Sequence, residues 1–146
     1  MLYSRQCEDA IRAMAYLARQ PQDRLISVGE VAKAENLAAP FLARTLFQLA
    51  KAGLVLSRKG PGGGFRLARP AVAIRLRDIV AVMDGLEGLK ECAVGLAECS
   101  DRMPCPLHGM WKELRQRIEV YLEKTRLSDM AQAVERKRSL LALSRG

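Results

Sequence analysis

Three cysteines, Cys92, Cys99 and Cys105, follow one another as C-x6-C-x5-C, and His108, the only histidine of the chain, stands three residues after the last of them. Three thiolates in one short segment can converge on a single centre. Thiolate sulfur favours soft or borderline metals, which makes iron-sulfur clusters and zinc the chemistry to weigh. Zinc sites more often carry a C-x2-C knuckle, absent here, so the spacing favours an iron-sulfur cluster, 2Fe-2S or 4Fe-4S. Gly95 and Pro104 help the segment wrap round a cofactor. A cluster ligated by protein alone needs a fourth ligand, and His108, Glu8, Asp9 and Cys7 are the candidates. Zinc and metal-free sensing thiols stand as alternatives. The opening MLYSRQCEDAIRAMAYLA has no basic segment followed by a long apolar run, and no stretch reaches the about 20 apolar residues that cross a bilayer. The expected location is the cytoplasm, where thiols stay reduced and disulfides are rare.

A second set of residues suits a polyanion. Arg44, Gln48 and Lys51 are separated by four and then three residues, which sets them on one face of a helix. Arginine can bond both guanine acceptors in the major groove, and glutamine both polar edges of adenine. Arg58, Lys59 and Arg66 flank Gly60-Pro61-Gly62-Gly63-Gly64, where Gly62 and Gly63 let the backbone come close to a phosphate strand. A nucleotide-enzyme phosphate loop fails on detail, since no Gly-Lys-Ser/Thr ending is present and the glycines lead into a strand. The formal charge of +8 supports a nucleic-acid partner, because each cation set against a phosphate releases condensed counterions. No catalytic residue is assigned, and the chain is not expected to be an enzyme.

The elements that must position these groups follow from periodicity and turn chemistry. Ala10, Ile11, Met14, Leu17 and Ala18 predict a helix over Ser4–Arg19, closed by Pro21. Ser27 and Glu30 form a capping-box pattern that starts a short helix over Val28–Glu35, followed by a turn at Asn36-Leu37. A third helix begins near Pro40 and ends before Gly53, with Leu42, Leu46 and Leu49 inward. Leu54–Lys59 and Phe65–Arg69 predict a hairpin, and Leu76–Leu86 a fourth helix. The order helix, helix, turn, helix, hairpin is the winged helix, whose third helix enters the major groove while the hairpin touches backbone. Leu89–Pro104 is expected to be loop. From Pro106 to Lys124 a long helix carries Leu107, Met110, Trp111, Leu114, Ile118, Tyr121 and Leu122, a stripe too apolar for water that predicts a homodimer, with Trp111 and Tyr121 in its core. A last helix is expected from Ser128, with a basic, fraying end from Glu135.

The fold class is therefore mainly α: a winged helix-turn-helix with a two-stranded wing and a long C-terminal dimerisation helix. Residues 1–88 are assigned to the DNA-binding domain, 89–105 to the cysteine loop and 106–146 to the dimerisation helix and basic tail. Leu54-Val55, the Gly60-Pro61-Gly62-Gly63-Gly64-Phe65 wing, the three cysteines and the helix with Trp111 together resemble the IscR/NsrR family of bacterial regulators, from Ala10-Ile11 to about Leu127. The resemblance implies a homodimer on double-stranded DNA at a pseudo-palindromic operator. It also implies a cluster on Cys92, Cys99 and Cys105 that responds to iron, nitric oxide or redox state. His108 matches the histidine ligand of the iron-sulfur assembly regulator, and Glu8 the acidic ligand that nitric-oxide sensors take from the partner's first helix. Between its first two cysteines this chain has six residues where both relatives have five. A repressor is the expected role; an electron carrier would have no use for the basic wing.

Overall fold

The structure is a computed structural model that describes residues 2–145. Helix α1, Arg5–Ala18, starts where the Ser4 side chain accepts the Cys7 amide, and it buries Ala10, Ala13, Met14, Ala15 and Leu17. Small residues on this face let four neighbours approach closely. Around it pack α2 (Val28–Glu35), α3 (Ala39–Lys51), α4 (Leu76–Met83) and α6 (Leu127–Ser144). Full burial of Leu42, Leu46 and Leu49 seats α3, at about 1.5–3 kcal/mol per side chain.

Ser27 Oγ accepts the Glu30 amide at 3.1 Å, so half of the expected capping box is present. The Glu30 carboxylate instead accepts from Tyr16 Oη and Arg24, each at 2.9 Å, because those partners lie within reach across the fold. Asn36 ends α2 in the left-handed region and turns the chain into α3. Strands β1 (Val55–Arg58) and β2 (Gly64–Leu67) pair antiparallel, with Val55 opposite Leu67 and Arg58 opposite Gly64. Ile26 adds a one-residue third rung, exchanging both backbone hydrogen bonds with Phe65 at 2.9 and 2.8 Å. The wing is thereby tied to the segment that leads into α2.

Several boundaries differ from expectation, most by a residue or two. Helix α4 stops at Met83 rather than Leu86, because Asp84 turns its carboxylate to the Ser4 amide at 2.8 Å and to the Ser4 hydroxyl, and Gly85 takes a positive φ of 75°. Helix α5, His108–Lys124, begins after Pro106 and Leu107, with the His108 amide donating to the Cys105 carbonyl at 3.0 Å. Helix α6 runs on through the basic segment expected to fray.

Its start belongs to the head: Leu127 and Ala131 lie in the same core as α1, α2 and α3. Residues 74–76 and 125–127 lie side by side, with Leu76 N–H on the Thr125 carbonyl at 2.9 Å and Leu127 N–H on the Ile74 carbonyl at 2.8 Å. Asp78 and Asp129 each accept the amide three residues earlier, so both helices start alike. Farther along α6, Arg138 reaches the buried carboxylate of Glu35, which also faces Arg12 at 3.6 Å and Arg19 at 3.2 Å. A smaller core of Cys7, Leu76, Val80 and Leu122 joins α1, α4 and α5. No helix among the described residues is long and apolar enough to cross a membrane.

Candidate metal centre and nucleic-acid interface

After a short 3-10 turn at Glu87–Lys90, the chain to Leu107 has no regular element, and α5 holds its start. Trp111 Nε1–H donates to the Glu91 carbonyl at 2.9 Å, and Arg115 to the Leu89 and Lys90 carbonyls at 3.3 and 3.5 Å. The residue just before Cys92 is thus fixed by a helix that begins three residues after Cys105. Trp111 faces its own loop, half-buried, a contact that its place in an apolar stripe did not suggest.

Cys92, Cys99 and Cys105 are free and half-buried. Cys99 Sγ lies 3.2 Å from His108 Nδ1, and His108 Nε2 lies 2.9 Å from Asp101 Oδ1. Lys112 Nζ binds both Asp101 oxygens at 2.9 and 2.7 Å. The bond from Lys112, then that from His108, holds the Asp101 carboxyl down at about 2. Hydrogen bonds from the Val94 and Leu96 amides, with a further one from the Cys105 thiol, push the Cys92 thiol below its ordinary value. Cys99 and His108 therefore meet as a donor pair, in the same loop as Cys92 and Cys105. Among the described residues no three Cys, His, Asp or Glu side chains close round a single-ion site.

Of the other candidates on α1, Cys7 is fully buried against Leu76, Val80 and Leu122, and burial, reinforced by the nearby Asp84 and Glu8 carboxylates, pushes its thiol up to about 12. It stays a protonated core residue. Glu8 pairs with Arg5 at 3.8 Å, and Asp9 lies between Arg5 and Arg12 at 3.6 and 3.8 Å. No hydrogen bond or ion pair among the described residues joins either to the cysteine loop of its own chain.

The basic face lies on the other side of α3. Arg44, Gln48 and Lys51 are all exposed, and α3 carries no acidic residue that would repel a phosphate. The Arg44 guanidinium sits 5.2 Å above the Phe41 ring, a stacking contact with an aromatic side chain that is itself 65% exposed. Gln6 Nε2 donates to Gln48 Oε1 at 2.9 Å, so α1 presets one end of the glutamine amide. Arg58 and Lys59 are exposed, whereas Arg66 is half-buried and donates to the Gln22 carbonyl at 3.3 Å. At the tip, Gly62 has φ 74° and faces open space, while a Cβ on Gly63 would collide with the Arg58 carbonyl. Phe47 meets the Phe65 ring edge-on at 5.3 Å and joins α3 to the wing. Sequence spacing missed Phe41 and Gln6; the i, i+3 step from Phe41 to Arg44 was the one signal available for either.

Comparison with known proteins agrees with this architecture. A protein of Aquifex aeolicus named for HTH-type transcriptional regulation is 35% identical over 138 residues, covering 93% of this chain and 95% of its own. The HTH-type transcriptional regulator IscR of Cereibacter sphaeroides is 33% identical over 116 residues, covering 78% and 75%. Among solved structures, CymR, the global cysteine regulator of B. subtilis, superposes with a TM-score of 0.75 at 25% identity, covering 91% of this chain and 98% of its own. T. potens IscR superposes at 0.72 with 26% identity, covering 94% and 90%. Residues 3–133 match the Rrf2 profile, described as an iron-dependent transcriptional regulator. With the winged head and nearly the whole chain in agreement, the protein belongs to the Rrf2 family of DNA-binding transcriptional regulators.

Proposed function

We propose that this regulator is a homodimeric repressor whose Cys92, Cys99 and Cys105 hold an iron-sulfur cluster, with His108 or Glu8 of the partner subunit as fourth ligand. The observation that carries this reading is the meeting of Cys99 with the buried His108 in the loop that also carries Cys92 and Cys105. Donors spread along one loop suit a cluster, whose inorganic sulfides separate its iron atoms, better than a lone ion that draws four donors to one point. When bound, such a cluster supplies one-electron redox chemistry and reactivity toward oxygen or nitric oxide.

The chain's own residues supply the coupling. The loop joins α4 of the head to α5, and Trp111 and Arg115 tie its start to α5, so ordering the cysteines orders the angle between head and helix. Met110, Leu114, Val120 and Tyr121 along α5, and Leu107 just before it, expose apolar surface, an area for which a second copy is the simplest cover. In a dimer two α3 helices read half-sites separated by whole turns of DNA, and a change of head angle costs affinity. Arg44, Gln48 and Lys51 then face bases, with Arg58, Lys59, Gly62, Gly63 and Arg66 along the backbone. A second reading, thiol sensing without metal, is favoured by three free, half-buried cysteines in one loop, with the Cys92 thiol held below its ordinary value.

The test is oxygen-free reconstitution followed by iron and sulfide analysis and a DNA titration with loaded and cluster-free protein. Visible absorption lost in Cys92→Ala, Cys99→Ala and Cys105→Ala but kept in Cys7→Ala is the expected pattern. A protein that takes no metal and regulates DNA binding by thiol oxidation would establish the second reading, and one that takes zinc without iron and sulfide would overturn the cluster.

A further inference from the structure

His108 is the only histidine of the chain, is 7% exposed, and has both ring nitrogens engaged. A neutral imidazole carries one N–H, and the partner of one nitrogen decides which nitrogen is left with a lone pair. Asp101 accepts at Nε2, which places the proton there and leaves Nδ1 free toward Cys99 Sγ, 3.2 Å away. Metal-binding histidines are commonly oriented in this way by a carboxylate on the far nitrogen.

The position of Asp101 is itself determined. It lies between Cys99 and Cys105, and the loop doubles back to set it over the solvent side of the ring, where it is mostly exposed while the histidine is buried. Lys112, one turn after His108 on α5, grips both carboxylate oxygens at 2.9 and 2.7 Å. An exposed ion pair of this kind adds little to folding. Its consequence falls on the ring it orients.

We propose that Asp101, anchored by Lys112, is the positioning residue that fixes His108 as the Nε2–H tautomer and presents Nδ1 beside Cys99 as a cluster ligand. This rests on the cluster reading above and deepens it, since it names the ligating atom and what aims it. With a single histidine, ring-¹⁵N labelling gives one pair of imidazole resonances, so the tautomer can be read directly in cluster-free protein at mildly alkaline pH.

The expected result is a dominant Nε2–H tautomer in the wild type, a mixture in Asp101→Ala, and a smaller change in Lys112→Ala, with helix content unchanged in both. A wild type rich in the Nδ1–H tautomer, or an Asp101→Ala spectrum like the wild type, would overturn the proposal. The second arm uses the same labelled protein after oxygen-free reconstitution and one-electron reduction. Hyperfine coupling from the histidine nitrogen is expected in the wild type, with faster cluster loss in Asp101→Ala. Iron and sulfide bound with no histidine coupling would overturn the ligand assignment while the cluster reading stood. No iron and sulfide at all would overturn the cluster reading and, with it, this role of Asp101, even if the tautomer were as expected.

Discussion

Arg44 projects from α3 with the Phe41 ring beneath its guanidinium, whereas Gln48 already accepts a hydrogen bond from Gln6. A stacked guanidinium loses less freedom when it meets a base edge, so the proposed reading role falls most heavily on Arg44. Arg44→Ala is expected to lose about 1–3 kcal/mol on a specific operator and much less on random duplex. Lys59→Ala should weaken all sequences alike and reduce the slope of affinity against salt by about one. Titrations on both duplexes at several salt concentrations check this, and equal losses for the two variants would remove Arg44 from the base-reading set. The cysteines divide at the same scale. Cys7 is buried and its thiol is pushed up to about 12, while the other three are half-buried in the loop and Cys92 is pushed down. A short alkylation of folded, cluster-free protein should modify Cys92 first and leave Cys7 untouched, as peptide mapping would show.

The wing illustrates how an element constrains its residues. Gly62 and Gly63 are named above for their approach to phosphate, yet Gly63 has a second reason to lack a side chain: a Cβ would strike the Arg58 carbonyl. Gly63→Ala is expected to cost on the order of 1–3 kcal/mol of local strain, move Arg58 and Lys59, and lower DNA affinity with the head still folded. Binding titration beside thermal unfolding checks that pairing. At the start of α2, Ser27→Ala should cost about 1 kcal/mol in urea unfolding, because it removes the one side-chain cap there. The Glu30 carboxylate, engaged with Tyr16 and Arg24, cannot take over, so a loss near zero would contradict the assignment.

In the whole molecule, Glu35 is the meeting point of three elements. It ends the first helix of the helix-turn-helix pair, faces Arg12 of α1 and Arg19 just after it, and is reached by Arg138 of α6. Its carboxylate is fully buried, and removing it would leave facing guanidinium groups uncompensated. Glu35→Ala is expected to destabilise by about 3 kcal/mol, the low end for a broken buried pair because the arginines keep partial solvent access. Arg138→Ala, whose side chain is 41% exposed, should cost about 1 kcal/mol. Urea denaturation of the two variants measures both, and no effect from Arg138→Ala would mean that the end of α6 is free of the head.

Local rules make most of the head legible in the sequence alone. The Ser27 cap, the Asn36 turn, the Leu42-Leu46-Leu49 stripe and the glycine tip each act within a few residues, so spacing alone specifies α2, the turn, α3 and the wing. The cysteine spacing points to soft-metal chemistry in the loop, a proposal that reconstitution tests. What sequence left open depended on partners far along the chain. Asp84 ends α4 early because Ser4 lies beside it, and Ile26 joins the wing because Phe65 is opposite. Helix α6 continues through a basic segment because its start is packed into the head core and Arg138 finds Glu35, 103 positions away. His108 gains its orientation only when the loop folds back to place Asp101 on its ring. Periodicity and capping are fixed by neighbours in sequence, whereas burial and pairing between distant groups exist only once the chain has closed on itself.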